Sequence, residues 1–173
     1  TPYSELVDYT LACGTMPAVV PQLRSITIGG AISGVGIEAS SFRYGLVHET
    51  VQELEIATGS GELVLATPDN EHADLCFGFP NSYGTLGYAL RVKAKTIPAR
   101  PYVHLRHVHH ETPAAFFDEL RRRCEGGDVD FIDGTVFGPG ELVLTLGTFV
   151  DEAPYVSDYT YKNIYYLSIR ERD

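Results

Sequence analysis

Glycines are the residues of this chain that could bind a ligand through the backbone alone, without charged side chains. The run TIGGAISGVGIEASSFRYG, residues 27–45, has glycine at positions 29, 30, 34, 36 and 45, and no lysine or arginine before position 43. Glycine lets the backbone approach a ligand closely, and amide N–H groups between small residues can hold a phosphate without a cation. Thr27 and Ser33 add hydroxyl groups. The segment is therefore a candidate anion site, and a tight loop between packed elements is the alternative.

The same segment does not fit the usual dinucleotide fingerprint. A Rossmann turn needs G-x-G-x-x-G between a strand and a helix. Here Gly34-Val35-Gly36 is followed by Glu38-Ala39, so the third glycine is missing. Any nucleotide bound here would need another fold.

The other reactive side chains give weaker signals. Four histidines fall at 104, 107, 109 and 110 in one predicted strand, where His107 and His109 form one pair on the same face. Without a third ligand at zinc spacing, a packed or solvated strand is favoured over a metal site. Cys13 and Cys76 have apolar neighbours and are interpreted as packed thiols. Glu38 is expected to be held by neighbouring backbone amides. We name no catalytic residue and expect no metal.

Composition limits the class of protein. The chain has 173 residues, 44% hydrophobic content and a net charge of −10, which suits one good core with a second small lobe and argues against nucleic acid or an anionic membrane surface as a partner. Three cysteines without C-x-x-C spacing favour a reducing compartment, and we expect a cytoplasmic location. No apolar run approaches the roughly 20 residues of a transmembrane helix.

Periodicity and turn residues predict an α+β fold with a boundary near Pro98 and Pro101. Before it we expect a helix over residues 3–14, a hairpin over 50–68, a short helix from Asp69 or Asn70, and a half-buried strand. In that strand Tyr88, Leu90, Val92 and Ala94 share the buried face.

Beyond the boundary we expect a strand at 102–110, a helix at 112–127 and strands at 129–137 and 141–150. The helix has Thr112 as N-cap and Gly126-Gly127 as its stop. Arg121, Arg122 and Arg123 are assigned to its solvated face. Its predicted buried stripe is Phe116, Phe117, Leu120 and Cys124.

The order of motifs resembles a known family. TIGGAISGVGIEASSFRYG, then ELEIATGSGELVLATP, then ADLCFGFPNSYGTLGYALRVKAKTIPA is similar to the FAD-binding domain of the vanillyl-alcohol-oxidase (PCMH) type, and most of all to its Δ24-sterol reductase branch. The likeness covers about residues 20–170 and continues through YVHLRHV, DEAP and YKNIYYLSI. Each piece is weak evidence, whereas the collinear set is specific.

This resemblance implies a flavin fold that lacks the Rossmann fingerprint. It implies residues 1–99 as the second FAD-binding subdomain, and residues 100–173 as the incomplete start of a substrate or cap domain. The turn from Gly84 to Gly87 would support the pocket. The residues that would contact FAD, carried over by position, are Thr27, Ile28, Gly29, Gly30, Ala31, Ile32, Ser33, Gly34, Val35, Gly36, Ile37, Glu38 and Ala39.

The activity that the resemblance implies is that of an FAD-dependent oxidoreductase. It would move a hydride between flavin N5 and a C–H or C=C centre of a small organic or lipid-like substrate. The alternatives are a non-catalytic flavin-fold module and a sugar or alditol oxidase of the same superfamily. The chain resembles an internal segment of such a protein, with exposed edges that favour self-association. With about half of the FAD contacts missing, we expect it to lose the cofactor.

Overall fold

The computed structural model describes residues 1–157 and 166–169. The chain divides into two compact units, Thr1–Ala99 and Arg100–Asp173. Helices and antiparallel sheets are both present, which confirms the α+β class. The elements of the first unit are α1 Tyr3–Ala12, β1 Thr15–Pro17, α2 Ile28–Ser33, α3 Ser41–Tyr44, β2 Val51–Ala57, β3 Leu63–Ala66, α4 Ala73–Gly78, β4 Tyr88–Ala94 and β5 Thr96–Pro98, with a 3₁₀ turn at Val47–Thr50.

In the first unit, β2 is the central strand of an antiparallel sheet ordered β3-β2-β4, and β1 pairs with β5. Helix α2 packs against β4 of this sheet, and α1 packs against β1. The core of this unit is one cluster of buried side chains from α1, α2, β2 and the segments between the elements. Its members include Tyr3, Val19, Ala31, Ile32, Val47, Leu54, Ile56 and Phe79.

The predicted helix at 3–14 is confirmed as α1, with Gly14 beyond its end at φ +74°. On this helix Thr10 is buried and Leu6 and Val7 are half-buried, whereas Tyr9 is 74% exposed. Cys13 is also exposed, so its interpretation as a packed thiol was wrong.

The predicted hairpin is confirmed as β2 and β3, but the next helix begins later than expected. The Asn70 carboxamide oxygen accepts hydrogen bonds from the N–H groups of Thr67 (3.2 Å) and His72 (3.0 Å), and its amide donates to the Leu65 carbonyl (2.7 Å). Asn70 therefore closes a turn after β3, and α4 begins at Ala73. A side chain that bonds local backbone can stabilise a turn as well as a helix start.

The predicted face of β4 is only half right. Glu55 pairs with Arg91 and Ile56 with Ala89, so the register shifts by one residue at Leu90. A β-bulge of this kind changes which side chains face inward. Val92, Ala94 and Ala89 lie toward the core, whereas Tyr88 (73% exposed) and Leu90 (57% exposed) lie on the outer face.

The second unit contains a described antiparallel sheet ordered β6-β8-β7 with one long helix against it. Its described elements are β6 Tyr102–His110, α5 Pro113–Gly126, β7 Phe131–Gly138, β8 Glu141–Val150 and α6 Tyr166–Ile169. The two predicted limits of α5 are confirmed: Thr112 Oγ1 accepts from Ala115 N (3.3 Å), and Gly127 is left-handed at φ +64°. The tyrosine-rich tail lies largely outside the described residues.

The buried stripe of α5 differs from the prediction. Phe116 is buried and Leu120 half-buried, but Phe117 and Cys124 are exposed. Glu119 is buried instead, because it forms ion pairs with Arg122 and Arg123. The arginine run is therefore not simply a solvated face.

Candidate functional site

The glycine-rich segment folds into one short helix and an irregular return. The Thr27 side chain accepts a hydrogen bond from Gly30 N (3.1 Å) and caps α2, which ends at Ser33 and is followed by Gly34. Val35 then adopts φ +55°, a left-handed conformation that is strained for a β-branched residue. The chain continues through Gly36 to Glu38, where the carbonyl of Gly36 accepts from Val47 N (2.9 Å). The segment is half-buried on average, with Thr27, Gly30 and Ile37 exposed.

Most amide donors of this segment are already bonded within the chain. The N–H groups of Ala31, Gly34 and Gly36 donate to carbonyls of Thr27 (2.9 Å), Gly30 (2.8 Å) and Ala31 (2.8 Å). Those of Ile28 and Glu38 donate to the Thr1 carbonyl (3.2 Å) and Ser41 Oγ (3.0 Å). The row of bare amides that the sequence suggested is therefore absent from these positions. Among the described residues, Gly29 N–H has no acceptor.

Several glycines are required by close packing inside the unit. A Cβ added at Gly34 would lie 2.9 Å from the Gly30 carbonyl oxygen, and one at Gly36 would lie 3.0 Å from Val47 Cγ2. At Gly29 the nearest atoms belong to Ala89, at 3.8 Å, which is ordinary contact. A Cβ at Gly30 would lie 3.0 Å from Thr27 Oγ1, so close packing explains the glycines at positions 30, 34 and 36, whereas Gly29 has room for a Cβ.

Glu38 is held as the sequence suggested. Its Oε1 accepts a hydrogen bond from Gln22 N (2.9 Å), which ties the preceding loop to the glycine-rich segment. The neighbouring Tyr3 is 2% exposed, and burial together with the charge of Glu38 raises the pKa of Tyr3 to about 12. Tyr3 is therefore a neutral core residue, and the hydrogen bond from Gln22 N gives Glu38 a structural role.

A second segment, the turn at residues 79–87, lies against the end of α2. Tyr83 N donates to the Ser33 carbonyl (3.3 Å), and a Cβ at Gly34 would lie 3.9 Å from Tyr83 Cε1. Thr85 bonds back to the Ser82 carbonyl through its N–H (3.0 Å) and its hydroxyl (2.7 Å). The sequence placed only Gly84–Gly87 of this turn near the pocket, as support. The fold brings Tyr83 close to Ser33, and the PNSYG segment is the only sequence feature that points to this turn.

The histidines of the second unit form a polar row rather than a ligand cluster. His107 Nδ1 lies 3.0 Å from Thr145 Oγ1 across the β6-β8 pair, and His109 lies on the same face. In the described ranges, no group of three or more His, Cys, Asp or Glu residues is placed to hold a metal ion. Cys76 is half-buried, and burial raises the pKa of its thiol, which disfavours the reactive thiolate. No described helix is long and apolar enough to cross a membrane.

Comparison with known proteins gives a consistent set. Residues 1–67 match the family model described as FAD binding domain. The chain is 37% identical over 144 residues to Delta(24)-sterol reductase of Arabidopsis thaliana, covering 78% of this chain and 25% of that protein. The Delta(24)-sterol reductase of Pisum sativum is 35% identical over 158 residues, which cover 86% of this chain and 28% of that protein. The Delta(24)-sterol reductase of Homo sapiens is 34% identical over 139 residues, which cover 80% of this chain and 27% of that protein. The chain thus spans about a quarter of the length of these relatives.

Proposed function

The chain belongs to the PCMH-type superfamily of FAD-binding proteins, on its sterol-reductase-like branch, and we propose that it is the cofactor-binding part of an FAD-dependent oxidoreductase. The match of residues 1–67 to the FAD binding domain is the observation that carries this proposal. When bound, FAD supplies hydride transfer at N5 with a C–H or C=C centre of a substrate. The names of the relatives support a lipid-like substrate over a sugar or alditol.

The residues present fit a flavin nucleotide through a few open groups. Thr27 Oγ1 accepts from Gly30 N, so its O–H remains able to donate to a phosphate oxygen. Gly29 N–H has no acceptor among the described residues, and Gly30 is exposed beside it. In the adjoining turn the buried Ser82 hydroxyl has no hydrogen-bond partner within the described chain. Buried polar groups are normally satisfied, so an unpaired hydroxyl next to this segment is consistent with a ligand partner.

From these groups we assign roles within the proposed site. Thr27 and Gly29 would position the diphosphate, Gly30 N–H would hold the Thr27 hydroxyl in place, and the remaining residues of 27–39 would shape the surface behind it. The bonded amides of Ala31, Gly34 and Gly36 hold the fold of the segment and do not serve as ligand donors. Residues 100–173 as the start of the substrate domain, and a cytoplasmic location, remain parts of the proposal. The three free cysteines support a reducing compartment.

The test is a titration of the chain with FAD, followed by flavin absorbance and fluorescence. Thr27→Val removes the hydroxyl and keeps the β-branch, and we expect it to weaken FAD binding about tenfold, because a hydrogen bond to a charged group contributes about 1.5–3 kcal/mol. The matched control is Thr112→Val, since Thr112 caps α5 as Thr27 caps α2. Equal weakening by both variants, or no binding by a folded wild-type chain, would contradict the assignment.

A non-catalytic module is the second candidate, because so many amides of the segment are bonded internally. Dye reduction by the complete protein separates the two. An enzyme reduces an acceptor dye when it is offered a donor substrate, whereas a module that acts through protein contacts binds flavin without turnover or does not bind it.

A further inference from the structure

Strained backbone is concentrated where the two segments of the proposed site meet. Among the described residues, the non-glycine residues with positive φ are Val35 (+55°), Asn81 (+62°) and Tyr83 (+48°). Val35 follows directly on the end of α2, and Tyr83 bonds to that end through its N–H. Each such conformation is strained and persists only where the surrounding structure enforces it. An aromatic residue in this conformation calls for an explanation beyond the turn itself.

The surroundings of Tyr83 fix its position and leave its ring open. Phe79, which is 1% exposed, anchors the start of the turn, and its carbonyl accepts from Ser82 N (3.2 Å). Tyr83 Cε1 lies 3.9 Å from where a Cβ at Gly34 would be, yet the residue is 72% exposed. The ring thus lies beside the glycine-rich segment with its bulk uncovered. The unpaired hydroxyl belongs to Ser82, the residue directly before Tyr83.

We propose that Tyr83 is the aromatic contact through which this turn binds the isoalloxazine ring of the flavin, a role that rests on the proposed function above. Isoalloxazine is a flat aromatic system, and aromatic pairs in offset or edge contact contribute beyond simple area burial. The contact would select flavins over nucleotides that share only the diphosphate. It also explains why a strained turn presents a tyrosine where glycine or asparagine would relieve the strain.

A matched control is available on the same unit. Tyr88 is 73% exposed, almost the same as Tyr83, but it pairs with Ala57 on the outer face of the sheet. Its neighbour Ala89 lies on the inner face of the sheet, close to Gly29. Loss of an exposed tyrosine as such is therefore tested by Tyr88→Ala, away from the proposed ring contact.

The experiment titrates the chain and its variants with FAD and with FMN, and records the fluorescence lifetime of the bound flavin. We expect Tyr83→Ala to weaken binding of both flavins by about tenfold, and Tyr88→Ala and Tyr83→Phe to leave it within about twofold. FMN reports the ring contact because it lacks the adenylate. A phenol quenches flavin fluorescence by electron donation, so Tyr83→Phe should lengthen the bound lifetime while keeping affinity.

Folding is controlled with Tyr83→Gly, which removes the ring and relieves the backbone strain. We expect this variant to melt no lower than wild type and still to lose affinity about tenfold. Binding of both flavins by Tyr83→Ala within twofold of wild type would overturn the Tyr83 assignment and leave the proposed function standing. A folded wild-type chain that binds neither flavin would overturn both.

Discussion

Glu119 lies on the buried side of α5 and forms the ion pairs that join the last turns of that helix. Its carboxylate accepts from Arg122 and from Arg123 Nε (2.8 Å), and Arg123 also bonds to Asp128 (2.5 Å) beyond the helix end. The hydrogen bond from Arg123 is the main reason that the pKa of Glu119 is lowered, with the charges of Arg122 and His110 acting in the same direction. The three arginines, which look alike in the sequence, therefore have different roles.

A lowered pKa fixes the sign of the pH dependence. Since the folded state holds the Glu119 proton more weakly than the unfolded state, its ion pairs stabilise the fold above the ordinary glutamate pKa, and that stability is lost as pH falls through the lowered value. Glu119→Gln should reduce the free energy of unfolding by about 1–2 kcal/mol at pH 7, and the difference from wild type should vanish in acid. Urea unfolding between pH 7 and pH 3 measures this.

The control for that series is Glu125→Gln, which changes an exposed glutamate on the same helix and should leave stability within about 0.5 kcal/mol of wild type. A Glu119→Gln deficit that persists unchanged at low pH would contradict the ion-pair explanation.

At the scale of elements, the passage from the 79–87 turn into β4 depends on a close backbone contact. Gly87 has φ +135°, and a Cβ there would lie 2.3 Å from the Ala57 carbonyl oxygen of β2. Gly84 also has positive φ (+84°), but a Cβ there would meet nothing within 4 Å. The two glycines, which are equivalent in the GTLG pattern, are therefore required for different reasons: one for approach to β2, the other for conformation.

This difference predicts unequal substitutions. Gly84→Ala should cost about 1 kcal/mol, since only the left-handed conformation is strained, whereas Gly87→Ala must also displace β4 from β2 and should cost about 3 kcal/mol or more. Thermal unfolding of both variants, followed by circular dichroism, measures the two costs. Equal melting temperatures of the two variants would contradict the prediction, because they would show that β4 can move away from Ala57 at little cost in stability.

At the scale of the whole molecule, each unit has its own helices and sheet. The first unit carries the glycine-rich segment, the 79–87 turn and the cluster of core residues around α1, α2 and β2. The second carries β6-β8-β7 and α5. The groups open to a ligand in the first unit are few, in line with a chain that spans about a quarter of the length of its curated relatives.

These few groups predict weak retention of cofactor. Large ligands gain on the order of 0.3 kcal/mol per heavy atom, so the loss of contacts to half of roughly 50 atoms would remove about 7 kcal/mol, or about five powers of ten in affinity. We expect the purified chain to be colourless and to bind FAD only on titration. An absorbance spectrum after desalting is the measurement, and stoichiometric flavin in that sample would contradict the expectation.

The sequence by itself determined the features that depend on neighbouring residues. The Thr112 cap and Gly127 stop of α5, the β2-β3 hairpin and the collinear FAD-binding motifs all follow from short-range rules, because the groups that satisfy each bond lie within a few positions.

Only the tertiary structure decided the features that depend on distant partners. The bulge at Leu90 reverses part of β4, Ile28 N–H donates to the Thr1 carbonyl, and Tyr83 N–H reaches the Ser33 carbonyl across 50 positions. In each case the deciding contact is between atoms far apart along the chain, and no local pattern of apolar, polar or glycine residues encodes which carbonyl or which face will be the partner.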